Sequence, residues 1–319
     1  MTPSHPGPVT SVPGRPERGA RAVLVQDADT ALPAGFDALV EACTAADDHP
    51  PFGEHTLLTL HGQRQVRHSR LEARSAHGLA GYAVLSEGLD AWYVELAVAP
   101  ASRGGHVGTA LLRTAREHVA SHGGGVLRGW AHAAGPAVER LAAGWRTSRS
   151  LHVLERPLGA DLPEPRVPAG LVLRTLDPTD DADRDAWLAL SNAAFAGHPE
   201  NGGWTRDDLD WRMDAAWTSS SGFPVLQDTG GLVAGVWTKD EGDGSGELYV
   251  VAVHPCRQGR GLGAVVVEAA LRALADQGCR SALLYVEAGN SPALRLYAGA
   301  GFRLHHVDRC YELDVLPAT

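Results

Sequence analysis

Cysteine is scarce in this chain, and the four that occur form no recognisable pattern. Cys43, Cys256, Cys279 and Cys310 are scattered, and no two of them make a C-x-x-C pair. That spacing indicates neither a zinc site nor a redox motif, and it is typical of reduced thiols in the cytosol. We therefore predict a cytoplasmic protein that holds no metal.

Long apolar runs are also missing. No stretch approaches the roughly 20 apolar residues that span a bilayer, and the N-terminus contains proline and arginine without the apolar core of a secretory signal. We expect no membrane contact, and we predict that residues 1–20 form a disordered tail.

Positive charge is in short supply. Lysine and arginine number 28 against 38 acidic residues, which gives a net charge of −10. This balance disfavours binding to nucleic acid, and an anionic ligand has to be held by local features.

The hydrophobic fraction of 44% is ordinary for a globular protein, and 319 residues favour two domains. We expect a monomer.

The most informative stretch runs from Glu247 to Gly263 and reads E-L-Y-V-V-A-V-H-P-C-R-Q-G-R-G-L-G. Its first half, 248–253, is apolar and rich in β-branched residues, which predicts a buried strand. Pro255 ends that strand, and the apolar segment 264–275 predicts a helix after the glycines. A strand, a glycine-rich turn and a helix N-terminus together make a site for an anion.

The glycine pattern is neither a P-loop nor a G-x-G-x-x-G dinucleotide fingerprint. It is Q-x-x-G-x-G, formed by Gln258, Gly261 and Gly263 directly after V-x-V-x-P. This resembles the acetyl-CoA pyrophosphate loop of the GNAT superfamily of N-acetyltransferases. The resemblance implies acetyl-CoA as co-substrate and an amine as acyl acceptor.

The chain repeats itself. Residues 98–108 align without a gap on 253–263, and 135–145 resemble 291–302 with a one-residue gap. Two copies of one fold are the natural interpretation. We predict two tandem GNAT folds of the α/β class with mixed sheets. The predicted boundaries are 21–157 for an N-terminal, silent domain, 158–169 for a proline-rich linker and 170–319 for a catalytic domain.

In the second copy the pattern predicts both strands and helices. Strands are expected at 171–175, 224–228, 232–239, 247–253, 282–286 and 302–313. Helices are expected at 180–194, 205–216, 264–275 and 292–298.

Two residues are the candidate catalytic groups. Glu247 opens the strand and, by alternation, is expected on the same face as Tyr249 and Val251, where it can take a proton from the amine. Tyr297 lies on the short helix where GNAT enzymes resembling this chain place the acid that protonates the departing thiolate. The alternatives are a solvated carboxylate at a turn and an aromatic residue packed beside Phe302.

The resemblance also implies a set of cofactor contacts. The strands before and after the loop are expected to separate, with the pantetheine arm between them and Asn290 capping the short helix. The cofactor-binding residues are Val251, Ala252, Val253, Gln258, Gly259, Arg260, Gly261, Leu262, Gly263, Ala264, Asn290, Ser291, Pro292, Ala293, Leu294 and Arg295.

The first copy differs at the positions of the two candidate catalytic residues and in the loop. When the copies are aligned from the loop, Trp92 stands opposite Glu247 and Leu141 opposite Tyr297, while Glu95 is out of register. Arg103 replaces the glutamine of the loop, and His106 replaces a glycine, which should weaken cofactor binding. A second candidate acetyl-CoA site remains, made of Leu96, Ala97, Val98, Gly104, Gly105, His106, Val107, Gly108 and Thr109.

Further stretches narrow the resemblance within the superfamily. Residues 194–205, 236–239 and 284–293 resemble tandem members that acetylate the cysteinyl amine of a cysteinyl glucosaminyl inositol. That resemblance implies substrate contacts from Glu54, Glu200, Lys239, Glu247 and Tyr285, although Tyr285 could face either substrate or core.

Three other interpretations remain open. The chain could be another GNAT enzyme that acts on an aminoglycoside or a protein N-terminus, and the segments around Glu200 and Lys239 discriminate between these acceptors. It could be a non-catalytic acyl-CoA-binding protein, which the combination of Glu247 and Tyr297 argues against. Cys256 beside Arg257 could carry the acyl group, although direct transfer needs no such intermediate.

Overall fold

The structure is a computed structural model that describes residues 21–25, 31–61, 66–88, 90–159, 162–196, 202–214, 218 and 220–318. The predicted N-terminal tail, residues 1–20, lies outside the described residues. Within the described part of the chain, no helix is long and apolar enough to cross a membrane.

The chain forms two compact units. Unit 1 comprises Met1–Arg149 and Asp308–Thr319, and unit 2 comprises Ser150–Val307. This division differs from the predicted boundaries at two segments, 150–157 and 308–319. Strand pairing is the physical reason, because each of these segments is hydrogen-bonded into the sheet of the other half of the sequence.

Unit 1 contains a six-stranded sheet in the order β1-β2-β3-β4-β5-β12, in which β12 is the last strand of the chain (Arg303–Val315). All neighbours are antiparallel except β4 and β5, which are parallel. Its elements are β1 (Arg21–Val25), α1 (Phe36–Asp47), α2 (Glu54–Leu60), β2 (His68–Ser75), β3 (Gly78–Glu87), β4 (Trp92–Val98), α3 (Val107–Ser121), β5 (Gly125–Ala131), α4 (Pro136–Leu141) and the start of β6 (Arg146–Pro157).

Unit 2 repeats this arrangement in the order β6-β11-β10-β9-β8-β7, and its parallel pair is β10 and β11. The remaining elements are β7 (Val172–Thr175), α5 (Asp181–Ala194), α6 (Arg206–Met213), β8 (Pro224–Asp228), β9 (Gly231–Asp240), β10 (Ser245–Val253), α7 (Leu262–Asp276), β11 (Ser281–Glu287), α8 (Ser291–Gly299) and β12 (Arg303–Val315). All ten predicted elements of the second copy are present, with ends displaced by up to three residues.

The sheet of each unit has apolar clusters on both faces. In unit 2, Val266 and Leu271 of α7 pack with Leu284 on one face, and Trp187 packs with Phe223 on the other. In unit 1 the α3 cluster and the cluster around α1 occupy the corresponding faces. The predicted fold class, an α/β fold repeated in tandem, is confirmed.

Sequence-predicted helix starts are also confirmed. The carboxylate of Asp180 accepts a hydrogen bond from the N–H of Asp183 at the start of α5. Thr205 and Asp208 form a reciprocal capping box at the start of α6. These caps satisfy backbone donors that a helix N-terminus leaves unpaired.

The two exchanged strands complete the sheets. β6 pairs antiparallel with β11 from Leu151 to Pro157, and β12 pairs antiparallel with β5 from Arg309 to Val315. The end of the first half of the sequence therefore finishes unit 2, and the end of the chain finishes unit 1.

Charged side chains hold β12 in unit 1. Glu312, only 5% exposed, accepts a hydrogen bond of 2.6 Å from Arg128 and lies 2.6 Å from Arg146. Arg309 donates to Glu139 at 2.8 Å. Because a buried carboxylate is stable only when it is paired, Glu312 fixes the position of the strand.

We predict that Glu312→Ala destabilises unit 1. Removing a partner from a buried ion pair costs about 3–5 kcal/mol, and the partial exposure of Arg128 and Arg146 reduces this to about 1–3 kcal/mol. The melting temperature should fall by several degrees in scanning calorimetry. Asp314→Ala, on the exposed part of the same strand, is the control, and an equal fall in both variants would contradict the account.

Candidate active site

The parallel strands β10 and β11 separate after a short paired segment. They pair only from Ser245 to Glu247, whereas β10 stays paired with β9 as far as Val253. The N–H of His254 donates to β9 at 2.9 Å, so by alternation the N–H groups of Val253 and Val251 point into the opening between β10 and β11. The expected separation of the strands is therefore present.

A β-bulge lies in β10 at the start of this opening. The register with β9 shifts between Leu248 and Val250, so Tyr249 is the extra residue. Leu248 accordingly packs with the α7 cluster, but Val250 packs with the cluster on the opposite face. Strict alternation, which placed Glu247 on the face of Val251, is wrong here because of the extra residue. Glu247 shares the face of Tyr249 and Val250.

The glycine-rich loop has the backbone that a close-approaching anion requires. Gly259 and Gly261 have φ values of 74° and 78°, which glycine adopts without strain. The side chain of Gln258 donates to the carbonyl of Val253 at 3.2 Å and fastens the loop to the end of β10. A Cβ at Gly263 would lie 3.0 Å from Leu296, so this glycine lets α7 approach α8.

Charge on the loop is distributed unevenly. Arg257 is ion-paired with Asp228 of β8, whereas Arg260 is exposed. Cys256 is exposed as well, and its N–H donates to the ring of His254 at 3.3 Å. The loop thus offers an anion the N–H groups at the start of α7 together with Arg260.

Tyr297, on α8, is buried. It is 7% exposed, belongs to the α7 cluster, and its ring packs edge to face against Phe302 at 5.9 Å. Burial raises the pKa of the Tyr297 hydroxyl, so the group is protonated at neutral pH. Asn290 caps α8 as predicted, with its side chain accepting from the N–H of Ala293 at 3.2 Å.

Three predicted site residues share the face opposite α7. Lys239 is the cross-strand neighbour of Glu247, and its Nζ lies 3.2 Å from the carboxylate of Glu241. Tyr285 is 49% exposed and alternates with the core residues Leu284 and Val286. The side chain of Tyr285, which could have faced either substrate or core, therefore points away from the core.

Two predicted substrate residues are not placed. Glu200 lies outside the described residues. Glu54 is the first residue of α2 in unit 1, and its side chain also lies outside the described part of the structure.

Unit 1 has an opening of the same kind. β4 and β5 pair only from Trp92 to Val94. Arg103 donates to the carbonyl of Val98 at 3.2 Å, the bond that Gln258 makes in unit 2. His106 has a φ of 64°, so the loop keeps its shape although a side chain in that region carries strain. A cavity of about 650 Å³ lies along this opening and the loop.

The register of unit 1 changes which residues correspond between the copies. β3 and β4 pair without a shift, whereas β10 carries the extra Tyr249. When the positions are counted back from the strand ends, Val98 and Val253, and the extra Tyr249 is left out, Glu247 corresponds to Tyr93. The gap-free alignment had predicted Trp92 at this position. The hydroxyl of Tyr93 donates to Asp90 at 3.2 Å.

The short helices also correspond differently. A Cβ at Gly108 would lie 3.3 Å from Leu141, as a Cβ at Gly263 would lie 3.0 Å from Leu296. Leu141 thus takes the packing place of Leu296, and not that of Tyr297 as the alignment predicted. No tyrosine stands next to Leu141 in the sequence.

Sequence reasoning missed one pair of ionisable residues. Nδ1 of His132 lies 3.0 Å from the carboxylate of Asp308, whose other oxygen accepts from the N–H of Ala133 at 2.9 Å. The two residues are 176 positions apart, and no local pattern signals their contact. Across the described residues, no group of three or more His, Cys, Asp or Glu side chains is arranged to hold a metal.

Comparisons with known proteins agree with this geometry. The Acetyltransferase (GNAT) family model matches residues 185–302. A mycothiol acetyltransferase from Salinispora tropica is 44% identical over 88% of this chain and 92% of that protein, and one from Nocardia farcinica is 41% identical over 86% and 92%. The chain belongs to the mycothiol acetyltransferase family. It is an acetyl-CoA-dependent N-acetyltransferase.

Solved structures show the same fold. A GCN5-related N-acetyltransferase from Sphaerobacter thermophilus matches with a TM-score of 0.71 and 21% identity, over 95% of this chain and 98% of that one. A tandem GNAT protein from the clavulanic acid biosynthesis pathway matches with a TM-score of 0.69 and 19% identity, over 94% and 100%. This chain thus shares its fold with more distant proteins.

The position of Tyr297 leads to a prediction. If its hydroxyl protonates the departing thiolate, Tyr297→Phe should keep the edge-to-face packing with Phe302 but slow turnover by about 10²–10⁴-fold, the usual contribution of a general acid. Acetyl-CoA affinity, measured by calorimetry, should change little. A fully active Tyr297→Phe enzyme would show that the residue serves packing alone.

Proposed function

We propose that unit 2 transfers the acetyl group of acetyl-CoA to the cysteinyl amine of 1D-myo-inositol 2-(L-cysteinylamino)-2-deoxy-glucopyranoside, and so makes mycothiol. The names of the relatives, mycothiol acetyltransferase, suggest this acceptor. The observation that carries the proposal is the position of Glu247, the last residue of β10 that pairs with β11 before the strands separate.

The opening suits the arm of acetyl-CoA. The N–H groups of Val251 and Val253 are directed into it, and the pantetheine amides can pair with them as a strand would. Gly261 and the first N–H groups of α7 are placed to hold the pyrophosphate, with Arg260 adding positive charge. The remaining predicted cofactor residues lie on β10 (Ala252), along the loop and the first turn of α7, and at the start of α8.

The chemistry requires the amine to lose two protons and the departing thiolate to gain one. Glu247 takes the first proton from the acceptor ammonium, because only the free amine has a lone pair, and releases it to solvent. The amine nitrogen bonds to the thioester carbonyl carbon and loses its second proton to solvent, and the carbon–sulfur bond breaks. Tyr297 gives its proton to the departing thiolate, which leaves as free CoA, and recovers one from solvent.

The acceptor site is assigned to the face that bears Glu247, Lys239 and Tyr285. An acceptor with an ammonium and many hydroxyls suits a carboxylate, an ammonium and a phenol that present both acceptors and donors. We assign further acceptor contacts to Glu54 and Glu200.

Unit 1 has a different role in this proposal. Tyr93 takes the place of Glu247, and its hydroxyl is hydrogen-bonded to Asp90, so unit 1 lacks the base that deprotonates the amine. We assign to it a second acetyl-CoA site along Leu96 to Thr109, and we assign the acetylation of the amine to unit 2. We place the enzyme in the cytoplasm as a monomer.

An acceptor panel tests the proposal. The protein is incubated with acetyl-CoA and, separately, with the cysteinyl glucosaminyl inositol, an aminoglycoside and a peptide with a free N-terminus. Mass spectrometry follows the gain of an acetyl group. The cysteinyl compound should have the highest kcat/KM, and preference for either other acceptor would replace the proposed substrate.

Removal of the base gives a sharper prediction. Glu247→Gln should retain acetyl-CoA binding and lower kcat by about 10²–10⁴-fold at neutral pH. An α-amino group has a pKa near 8, so the free amine is abundant at high pH and the loss should shrink as the pH rises from 6 to 9. The control is Glu268→Gln on α7, away from the loop, which should leave kcat unchanged. A Glu247→Gln enzyme with wild-type kcat throughout that pH range would end the assignment.

A further inference from the structure

The cleft of unit 1 has the size and the backbone of an acyl-CoA site. Its volume of about 650 Å³ lies within the roughly 300–1,000 Å³ of small-molecule sites. Leu96 and Val98, which line it, correspond in register to Val251 and Val253 of unit 2.

Glu95 and His132 lie on opposite sides of this opening. Glu95 follows the last residue of β4 that pairs with β5, and His132 follows the end of β5. Val94 and Leu127 pack beneath α3, so by alternation Glu95 and His132 point to the other face. That face corresponds to the one that bears Glu247 in unit 2, where an acyl acceptor is expected.

His132 is arranged as a base. Its Nδ1 lies 3.0 Å from the carboxylate of Asp308, and Asp308 is only 2% exposed and is held in turn by the N–H of Ala133. This contact fixes the ring and makes Nδ1 the hydrogen-bond donor, which leaves Nε2 with a lone pair. The arrangement of a buried carboxylate behind an imidazole is the one that serves proton transfer in acyl-group chemistry.

Nε2 of His132 has no hydrogen-bond partner among the described residues, although it is buried. A buried polar atom without a partner costs about 1–3 kcal/mol. Nε2 is covered in the free protein, and the partner assigned to it is a molecule bound in the cleft, either a water or an atom of the ligand.

The connection between α1 and α2 covers the acceptor side of this cleft. His49 and Pro51, from the connection between α1 and α2, line it, and the N–H of Gly53 donates to the carboxylate of Glu95 at 2.7 Å. The connection therefore lies over the face at the level of Glu95. Water needs no binding contacts of its own to act as the acceptor beneath this connection.

We propose that unit 1 hydrolyses an acyl-CoA thioester, with His132 as the base and Asp308 as its positioning residue. Water attacks the thioester carbonyl carbon while its proton passes to Nε2 of His132. The carbon–sulfur bond breaks, and the thiolate takes the proton back from Nε2. The products are free CoA and the carboxylic acid, and the reaction is separate from amine acetylation in unit 2.

The pH dependence of this hydrolysis has a defined sign. Charged or titratable groups that face His132 are Asp308 on β12, Glu95 on β4 and His49 after α1. Burial acts to lower the pKa of His132, but the hydrogen bond to Asp308 and the charges of Asp308 and Glu95 outweigh it and raise the pKa above its ordinary value. A base must be neutral, so the rate should rise with pH through a midpoint above about 6.5.

The test uses the full chain carrying Glu247→Gln, in which transfer by unit 2 is suppressed. Acetyl-CoA is added without an amine acceptor, and free CoA is measured by liquid chromatography. Release should exceed the buffer rate, and His132→Asn should reduce it by about 100-fold or to the buffer rate. His77→Asn, in the exposed turn between β2 and β3, is the matched control and should change nothing.

Two further variants distinguish loss of the base from a folding defect caused by His132→Asn. Asp308→Asn and Glu95→Gln should each move the midpoint of the pH profile to lower pH, because each removes a charge that raises the pKa of His132. Circular dichroism checks the fold of each protein. CoA release at the buffer rate, release unaffected by His132→Asn, or a midpoint that neither charge removal moves would overturn the proposal.

Discussion

The separation of two parallel strands governs both halves of this enzyme. β10 and β11 pair through Glu247 and then diverge, and β4 and β5 pair through Val94 and then diverge. Each divergence leaves backbone N–H and C=O groups without the ladder partner that a continuous sheet supplies. Such groups are costly unless something pairs with them, and an extended ligand with amide groups can do so. The glycine-rich loop and the helix N-terminus follow the strand that borders the opening. Consecutive stretches of the chain can therefore bind first the ligand's arm and then its phosphates.

One extra residue changes the register of β10 relative to β4. The bulge at Tyr249 turns Glu247 toward the face of Val250, and β4, which has no bulge, presents Tyr93 at the corresponding position. Both positions pair with the neighbouring parallel strand, so the two copies differ there in the residue and not in the face. In unit 1, Asp308 of the exchanged strand β12 supports His132. The strand exchange thus shapes the chemistry of unit 1 as well as its stability.

Much of this arrangement could be predicted from the sequence. The signals for these elements are local: the apolar residues of 248–253, the glycines after Pro255, and the caps at Asp180 and Thr205. Each strand or helix lies where its local signal predicts it. Three features could not be predicted because they depend on contacts distant in sequence or on pairing. The exchange of β6 and β12 requires knowledge of which strands pair, the bulge breaks a strict period of two, and His132 meets a residue 176 positions away.

Amide hydrogen exchange at the edge of the opening tests the central claim most directly. The N–H groups of Val251 and Val253 should exchange fast in the free protein and at least tenfold more slowly with saturating acetyl-CoA. Those of Ala252 and His254, directed toward β9, should change little. If acetyl-CoA binds, as calorimetry would show, and Val251 and Val253 exchange at their free-protein rates, the opening between β10 and β11 is not where the cofactor lies.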